Sequence, residues 1–183
     1  MAIDDEAVLL PAIGHYYLAP ATDQALPVNL LAPGTPYVDL GHTSLEDPFG
    51  LSSEGGDVEV KGTWQNPTLR SSRAPRVDSI AFIAHQWDLL SYQNFWGSNA
   101  ALVGDFVQVP LNPVPNTGTL YVVIQDGNDQ VAIHAPKVEL SRADDIELSA
   151  EDLGGLPLRA TLLGRSSANW LFQITPKGDL TAP

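Results

Sequence analysis

The chain has 183 residues, no cysteine and a formal net charge of −13. Its length suits one domain over residues 1–183, and the lack of cysteine excludes disulfides and thiolate metal sites. No apolar run reaches the roughly 18 residues that a membrane-spanning helix needs, so we expect no contact with a membrane. An acidic surface repels phosphates, which argues against nucleic-acid binding, and the acidic N-terminus is unlike a secretory signal, which predicts synthesis in a cytoplasm.

The first part of the chain alternates between short extended segments and loops. Residues 13–18 predict a first strand, which a proline ends. Four prolines between residues 19 and 37 predict an extended connector, because proline lacks the N–H group that helices and strand ladders need. Residues 38–43 predict a short strand. Residues 44–56 are polar and predict a long loop that contacts other molecules.

The pattern changes over residues 54–65. Gly55 and Gly56 end the polar loop, and a strand of period 2 follows over residues 57–65. The polar residues of this strand include Glu59 and Lys61. The apolar residues alternate with the polar ones and are predicted to point into the core: Val58, Val60 and Trp64.

The charges are unevenly distributed along the chain. Residues 1–60 contain ten acids and no Lys or Arg, whereas residues 61–76 contain four bases and no acid. The four bases are Lys61, Arg70, Arg73 and Arg76. One interpretation is a solvated surface, since exposed charges contribute little on their own. The other is electrostatic complementarity between copies of the chain, with the basic segment of one copy facing the acidic N-terminal third of the next.

The rest of the chain predicts strands around one short helix. Asp88 is a suitable N-cap and Gly97 a suitable stop for a helix over residues 88–97. An Asp-Gly turn predicts a hairpin between residues 119–125 and 130–135, and Pro136 predicts a bulge or an edge position. The other predicted strands are residues 77–87, 102–109, 156–163 and 170–175, followed by a polar tail after residue 176.

This pattern predicts a mainly β protein, with an antiparallel sandwich or barrel, long contact loops and one short helix. The predicted core comprises Val58, Val60, Trp64, Phe82, Leu120, Val122, Ile124 and Leu158.

No arrangement of residues in the sequence indicates catalysis. His15, His42, His85 and His134 are isolated and lack the spacing of metal ligands. Asp144, Asp145 and Glu147 are typical of a solvated loop. No phosphate-binding loop or dinucleotide fingerprint is present. We therefore assign no catalytic, cofactor-binding or metal-binding residue and expect the protein not to be an enzyme.

Several segments in one order resemble a known family. They are Leu40–Ser44, Glu54–Asn66, the Asp88–Gly97 helix, Ala135–Val138 and Leu153–Thr161. Together they resemble the major tail proteins, or tail tube proteins, of long non-contractile-tailed bacteriophages. The similarity is greatest to those of actinobacteriophages and covers about residues 38–163.

The resemblance implies a structural subunit of the virion tail. In that family six copies form a ring, and stacked rings form a tube through which genomic DNA passes without specific binding. The expected partners are other copies of the chain, the tape measure protein and other tail proteins. For the subunit interface we predict Gly55, Gly56, Lys61, Arg70, Arg73 and Arg76. For an electronegative lumen we predict Glu59 and Asp126.

Two alternatives remain open from the sequence. One is a β-sandwich carbohydrate-binding module that uses exposed aromatic residues such as Trp87, Tyr92 or Trp96. The other is a different virion part of related fold, such as a baseplate or tail-end protein.

Overall fold

The computed structural model describes residues 7–180, so the N-terminal acids Asp4, Asp5 and Glu6 lie outside the described residues. The elements in chain order are β1 (Ile13–Ala19), β2 (Val38–Asp39), β3 (Gly50–Gly55), β4 (Val58–Lys61), β5 (Arg70–Arg73), β6 (Arg76–Ala84), α1 (Leu89–Trp96), β7 (Ala101–Val103), β8 (Phe106–Gln108), β9 (Asn116–Asp126), β10 (Asp129–Arg142), β11 (Leu156–Leu162) and β12 (Gln173–Ile174).

One antiparallel sheet dominates the structure, in the order β2-β1-β9-β10-β11-β6-β3, with β12 paired to the first half of β10. The sheet curls back on itself. After β2, which pairs with β1, the chain reaches β6: the Ser44 amide donates to the Ile83 carbonyl at 2.9 Å and the His85 amide to the His42 carbonyl at 2.8 Å. These bonds join the two sides of the sheet. The predicted mainly β, antiparallel architecture with one short helix is confirmed.

Alternate residues of the main strands fill the interior of the curled sheet. Tyr16 of β1 stacks on Phe82 of β6, with ring centroids 4.3 Å apart, although three strands separate β1 from β6 in the sheet. Five residues predicted for the core are buried there: Phe82, Leu120, Val122, Ile124 and Leu158. The other three are not. Val58, Val60 and Trp64 are exposed, so their assignment to the core is wrong.

The connector over residues 19–37 covers the outer face of β9 and β10. Tyr121 and Val123 of β9 point away from the interior and form a second buried cluster, against which Leu30 packs. The Tyr121 hydroxyl donates to the Leu30 carbonyl at 2.8 Å. The central strands are therefore buried on both faces, and the connector contributes to the core rather than only linking two strands.

The helix and the central hairpin agree with the sequence. α1 covers Leu89–Trp96, and the Asp88 carboxylate accepts from the Ser91 amide at 2.8 Å as its N-cap. Gly97 ends the helix at φ +113°, where a side chain is disfavoured. β9 and β10 form the predicted hairpin. Its register shifts between Ala135 and Val138, which confirms the bulge expected at Pro136.

Two predictions of local structure are wrong. The polar loop predicted over residues 44–56 ends early, because residues 50–55 form β3, the edge strand that pairs with β6. The single strand predicted over residues 102–109 is instead the hairpin β7–β8. Gly104, with φ +61°, and Asp105 form its turn, and a Gly-Asp pair at this place favours such a reversal.

His134 of β10 fastens the connector and the C-terminal segment to the sheet. Its Nε2 lies 3.1 Å from the Gln24 carbonyl and 3.3 Å from the Tyr37 hydroxyl, and its Nδ1 lies 3.2 Å from the Gln173 amide nitrogen. The side chain is buried, and this desolvation lowers the pKa of His134 below the ordinary histidine value. The neutral imidazole therefore stabilises the fold.

We predict that the protein loses stability as the pH falls below about 6.5, the ordinary histidine pKa. Below this pH the unfolded chain binds a proton at His134, whereas the folded protein binds it less tightly because the pKa of the buried side chain is lowered. The contribution of His134 to stability is therefore complete above about pH 6.5 and declines as the pH falls toward the lowered pKa of the folded state. One such site gives a slope of at most about 1.4 kcal/mol per pH unit. Urea unfolding at pH 7.5 and 5.0 measures it. His134→Gln should flatten the dependence, and an equal decline in both proteins would contradict the prediction.

Candidate functional site

A two-stranded hairpin projects from one end of the sheet. β4 and β5 continue the pairing of β3 with β6 in an unbroken register: Gly55 faces Arg76, the Ala74 amide donates to the Asp57 carbonyl at 3.0 Å, and Val58 faces Arg73. All residues from 57 to 77 are exposed. We call residues 57–75 the projecting hairpin. It is an extended arm outside the core.

Two glycines form the junction between β3 and the projecting hairpin. Gly55 and Gly56 have φ of +80° and +78°, a region that other residues adopt only with strain. A Cβ atom at Gly55 would lie 2.5 Å from the Pro75 carbonyl oxygen, which belongs to the backbone of the opposite strand. The junction therefore requires glycine for both its backbone conformation and its space.

We predict that Gly55→Ala destabilises the junction by about 1–2 kcal/mol, the usual cost of a left-handed backbone for a residue with a Cβ. The collision with Pro75 adds to that cost. Hydrogen exchange of the hairpin amides and urea unfolding would measure it. Gly34→Ala is the matched control, because a Cβ at Gly34 meets nothing within 4 Å. Equal behaviour of the two variants would contradict the requirement for glycine.

An aromatic residue occupies the tip of the projecting hairpin. Thr63 and Asn66 exchange backbone hydrogen bonds of 2.8 and 3.1 Å, which places Trp64 and Gln65 at the corner between them. The Trp64 side chain is 100% exposed. A fully exposed tryptophan at the end of an arm is typical of an anchor that becomes buried in a partner.

The two faces of the projecting hairpin differ in chemistry. One face carries Val58 and Val60 across from Arg73 and Ser71, and the other carries Glu59 and Lys61 across from Ser72 and Arg70. Both valines are 53% exposed. Lys61 and Arg70 are directly opposite, an arrangement of like charges that is unfavourable without an acidic neighbour. Glu59 lies 3.4 Å from Lys61, and both side chains are exposed.

The structure brings the six predicted interface residues together on this hairpin and its junction. They differ in their contacts. Arg70 and Arg73 form no ion pair among residues 7–180, whereas Arg76 binds the buried Asp78 carboxylate through Nε at 3.1 Å and Nη2 at 2.9 Å. Arg76 therefore has a partner within its own chain, and Arg70 and Arg73 carry the uncompensated positive charge. Their contacts with another subunit stay a prediction.

The two predicted lumen residues lie on different elements of the fold. Glu59 lies on the projecting hairpin and Asp126 at the end of β9. The Asp126 carboxylate accepts from the Leu10 amide at 3.0 Å and lies 2.9 Å from Lys177 Nζ. These two contacts, the amide first, lower the pKa of Asp126. Each predicted lumen acid thus lies close to a lysine, Glu59 to Lys61 and Asp126 to Lys177. That the two acids face the lumen stays a prediction.

An acidic groove of about 710 Å³ lies at the other end of β6. Glu46 and Asp47 line one wall and the five acids between residues 144 and 152 line the other, while Leu45, Ile83 and Leu153 supply apolar surface. Among residues 7–180, no Lys or Arg lies within 4.0 Å of these carboxylates. We call this feature the acidic groove. Sequence reasoning missed it, because its two walls are about a hundred residues apart.

The hairpin β7–β8 presents a second exposed apolar surface that the sequence did not reveal. Leu102, Val103, Phe106 and Leu111 are all exposed on it or just after it. The apolar residues between positions 102 and 109 follow one another as they would in a single buried strand. Within this segment, the turn at Gly104 is the local sign that it forms two strands.

Within the described part of the chain, these features suit binding to a protein surface. No group of three or more His, Asp or Glu side chains could hold a metal ion there, and no described helix is long and apolar enough to cross a membrane. His42 and His85 lie on paired segments, joined by a backbone hydrogen bond of 2.8 Å, and His134 serves the fold as described above. What the surface offers is an exposed arm, a groove and unpaired charge.

Comparison with known proteins agrees with the resemblance noted in the sequence. The chain is 33% identical to Major tail protein Gp23 of Mycobacterium phage D29, over 97% of this chain and 99% of that protein. It is 34% identical to Major tail protein Gp23 of Mycobacterium phage L5, over 89% of this chain and 88% of that protein. The sequence profile described as phage tail tube protein matches residues 1–178. The chain therefore belongs to the phage tail tube protein family and is a structural protein of the phage tail.

Proposed function

We propose that the protein assembles into rings of six copies, which stack into a tube that conducts DNA. The projecting hairpin is the observation that supports this proposal best. Residues 57–77 are exposed throughout, yet they carry Trp64 and three valines, which a solitary molecule gains nothing by presenting to water. In the assembly, the hairpin supplies contacts between subunits within a ring or between rings.

Charge supports the passage of DNA without specific binding. The net charge of −13 repels phosphates, so an inner wall made of this chain does not retain the genome. In this proposal Glu59 and Asp126 face the lumen and contribute to its negative potential. Their lysine neighbours reduce that contribution, so other acids of the chain must supply part of the field.

The partners are other copies of the chain, the tape measure protein and further tail proteins. The protein is made in the host cytoplasm, acts in the virion tail and catalyses no reaction.

The structure does not favour a carbohydrate-binding module. Trp87 donates its indole N–H to the Gly154 carbonyl at 3.1 Å, and Tyr92 and Trp96 pack against the core. These aromatic residues therefore serve the fold and do not form an open stacking platform.

Negative-stain microscopy of the purified full-length protein at increasing concentration tests the proposal. We expect rings or tubes, with six-fold symmetry in end views. Monodisperse monomers at every concentration would contradict it. Rings of another symmetry that do not stack would favour a baseplate or tail-end protein.

A further inference from the structure

We propose that the acidic groove of one copy is the receptor for the projecting hairpin of the next copy, with Trp64 inserted into the groove. This inference rests on the proposed assembly and specifies its contact surface. The proposed occupant of the groove is a second copy of this chain, because the hairpin and the groove are complementary in charge and in apolar character.

The two surfaces lie at opposite ends of one strand. The acidic groove is built around Ile83 and His85 at the end of β6, whereas the projecting hairpin leaves β6 at Arg76. With a rise of about 3.3 Å per residue, Arg70 lies up to roughly 40 Å along the hairpin from Ile83. The unbroken register carries the hairpin away from the groove. A copy therefore cannot fill its own groove, and the groove is available to another copy.

The charges of the two surfaces are complementary. The groove concentrates seven carboxylates, and no Lys or Arg among residues 7–180 lies within 4.0 Å of them. The hairpin carries Arg70 and Arg73 without an ion-pair partner in that same part of the chain, and Lys61 beside them. Docking would place each set of charges against the other, which favours this pairing over hairpin-to-hairpin or groove-to-groove contacts.

Apolar surface on both sides supplies the anchor. Trp64 is fully exposed at the tip, and the groove presents Leu45, Ile83 and Leu153 among its acids. Interfaces commonly bury an aromatic residue in a pocket with charged residues around it, and tryptophan and arginine are the residue types most enriched at such centres. A volume of about 710 Å³ accommodates the tip of a hairpin.

The geometry of this contact is head-to-tail. Different surfaces of the two copies meet, so one end copy of an open series retains a free hairpin and the other end copy a free groove. Repeating the contact produces a ring if the rotation between copies closes and a stack if it does not. The same contact thus provides either of the connections that a tube requires.

Cysteine cross-linking tests the contact directly, because the natural chain contains no cysteine. Gln65→Cys at the tip is mixed with Leu153→Cys in the groove, one of the two variants carrying a mass tag, and treated with a short bismaleimide. Any tagged–untagged pair is intermolecular. The matched control mixes Gln65→Cys with Val28→Cys, whose position on the connector is 104% exposed, compared with 80% for Leu153. Reactivity alone would therefore favour the control.

We expect at least tenfold more mixed pair with Leu153→Cys than with Val28→Cys. Microscopy of the same samples separates the two hypotheses. Assemblies with equal cross-linking of both mixtures would overturn the docking proposal and leave the proposed function standing. Monomers throughout, without cross-links, would contradict the proposed function and the docking proposal together.

Discussion

Reversing the charge of Arg70 and Arg73 is expected to raise the concentration needed for assembly at least about tenfold, which corresponds to about 1.4 kcal/mol per contact. Neither arginine forms an ion pair among residues 7–180, and both lie on the exposed projecting hairpin. In the double variant Arg70→Glu/Arg73→Glu, the attraction for an acidic neighbour becomes repulsion. Sedimentation velocity and negative-stain microscopy over a concentration series measure the change.

The fold should survive this substitution. Lys61 faces Arg70 across the hairpin, so a glutamate at position 70 replaces a like-charge pair with an opposite-charge pair. Lys137→Glu/Arg142→Glu makes the same change in net charge on the body of the protein and is the matched control. Assembly of the hairpin variant at the wild-type concentration would contradict a role for the two arginines. Equal loss in the control would show that net charge matters and the position of the charges does not.

The second large effect is expected in the core. Phe82→Ala should lower the free energy of unfolding by about 3–5 kcal/mol, the usual loss for a buried phenylalanine. Phe82 is buried and stacks on Tyr16 with centroids 4.3 Å apart, so the substitution leaves a cavity where β1 and β6 meet. Urea unfolding followed by tryptophan fluorescence measures the loss.

Trp64→Ala is the informative comparison for that experiment. It removes a larger side chain, but one that is fully exposed, so the free energy of unfolding should change by no more than about 0.5 kcal/mol. Its effect should appear in assembly. Because the variant lacks one fluorophore, circular dichroism is the appropriate probe. A loss comparable to that of Phe82→Ala would mean that Trp64 packs within the folded subunit.

Much of the fold could be predicted because its signals are local. The Asp126–Gly127 turn between two β-rich runs determines the central hairpin, and Asp88 and Gly97 determine the ends of the helix. In each case the residues that specify the conformation are adjacent to it in the sequence. The prediction that Leu120, Val122 and Ile124 belong to the core is confirmed. Their strand, β9, lies between β1 and β10 in the centre of the sheet.

The error at Val58, Val60 and Trp64 has a clear physical reason. A period of 2 shows that these residues share a face, but it does not show what that face meets. The same alternation serves a strand in the sheet and a hairpin that projects from it. The acidic groove was missed for a different reason, because only the fold brings Glu46 and Asp47 beside the acids of residues 144–152.

The composition of β3 bears on the time between synthesis and incorporation into the tail. β3 is an edge of the main sheet, and an open edge can template the addition of strands from other chains. Its sequence begins and ends with glycine and contains two serines and Glu54, all of them poor partners for indiscriminate β-pairing. The composition of this edge therefore disfavours amyloid-like aggregation through the addition of strands from other chains.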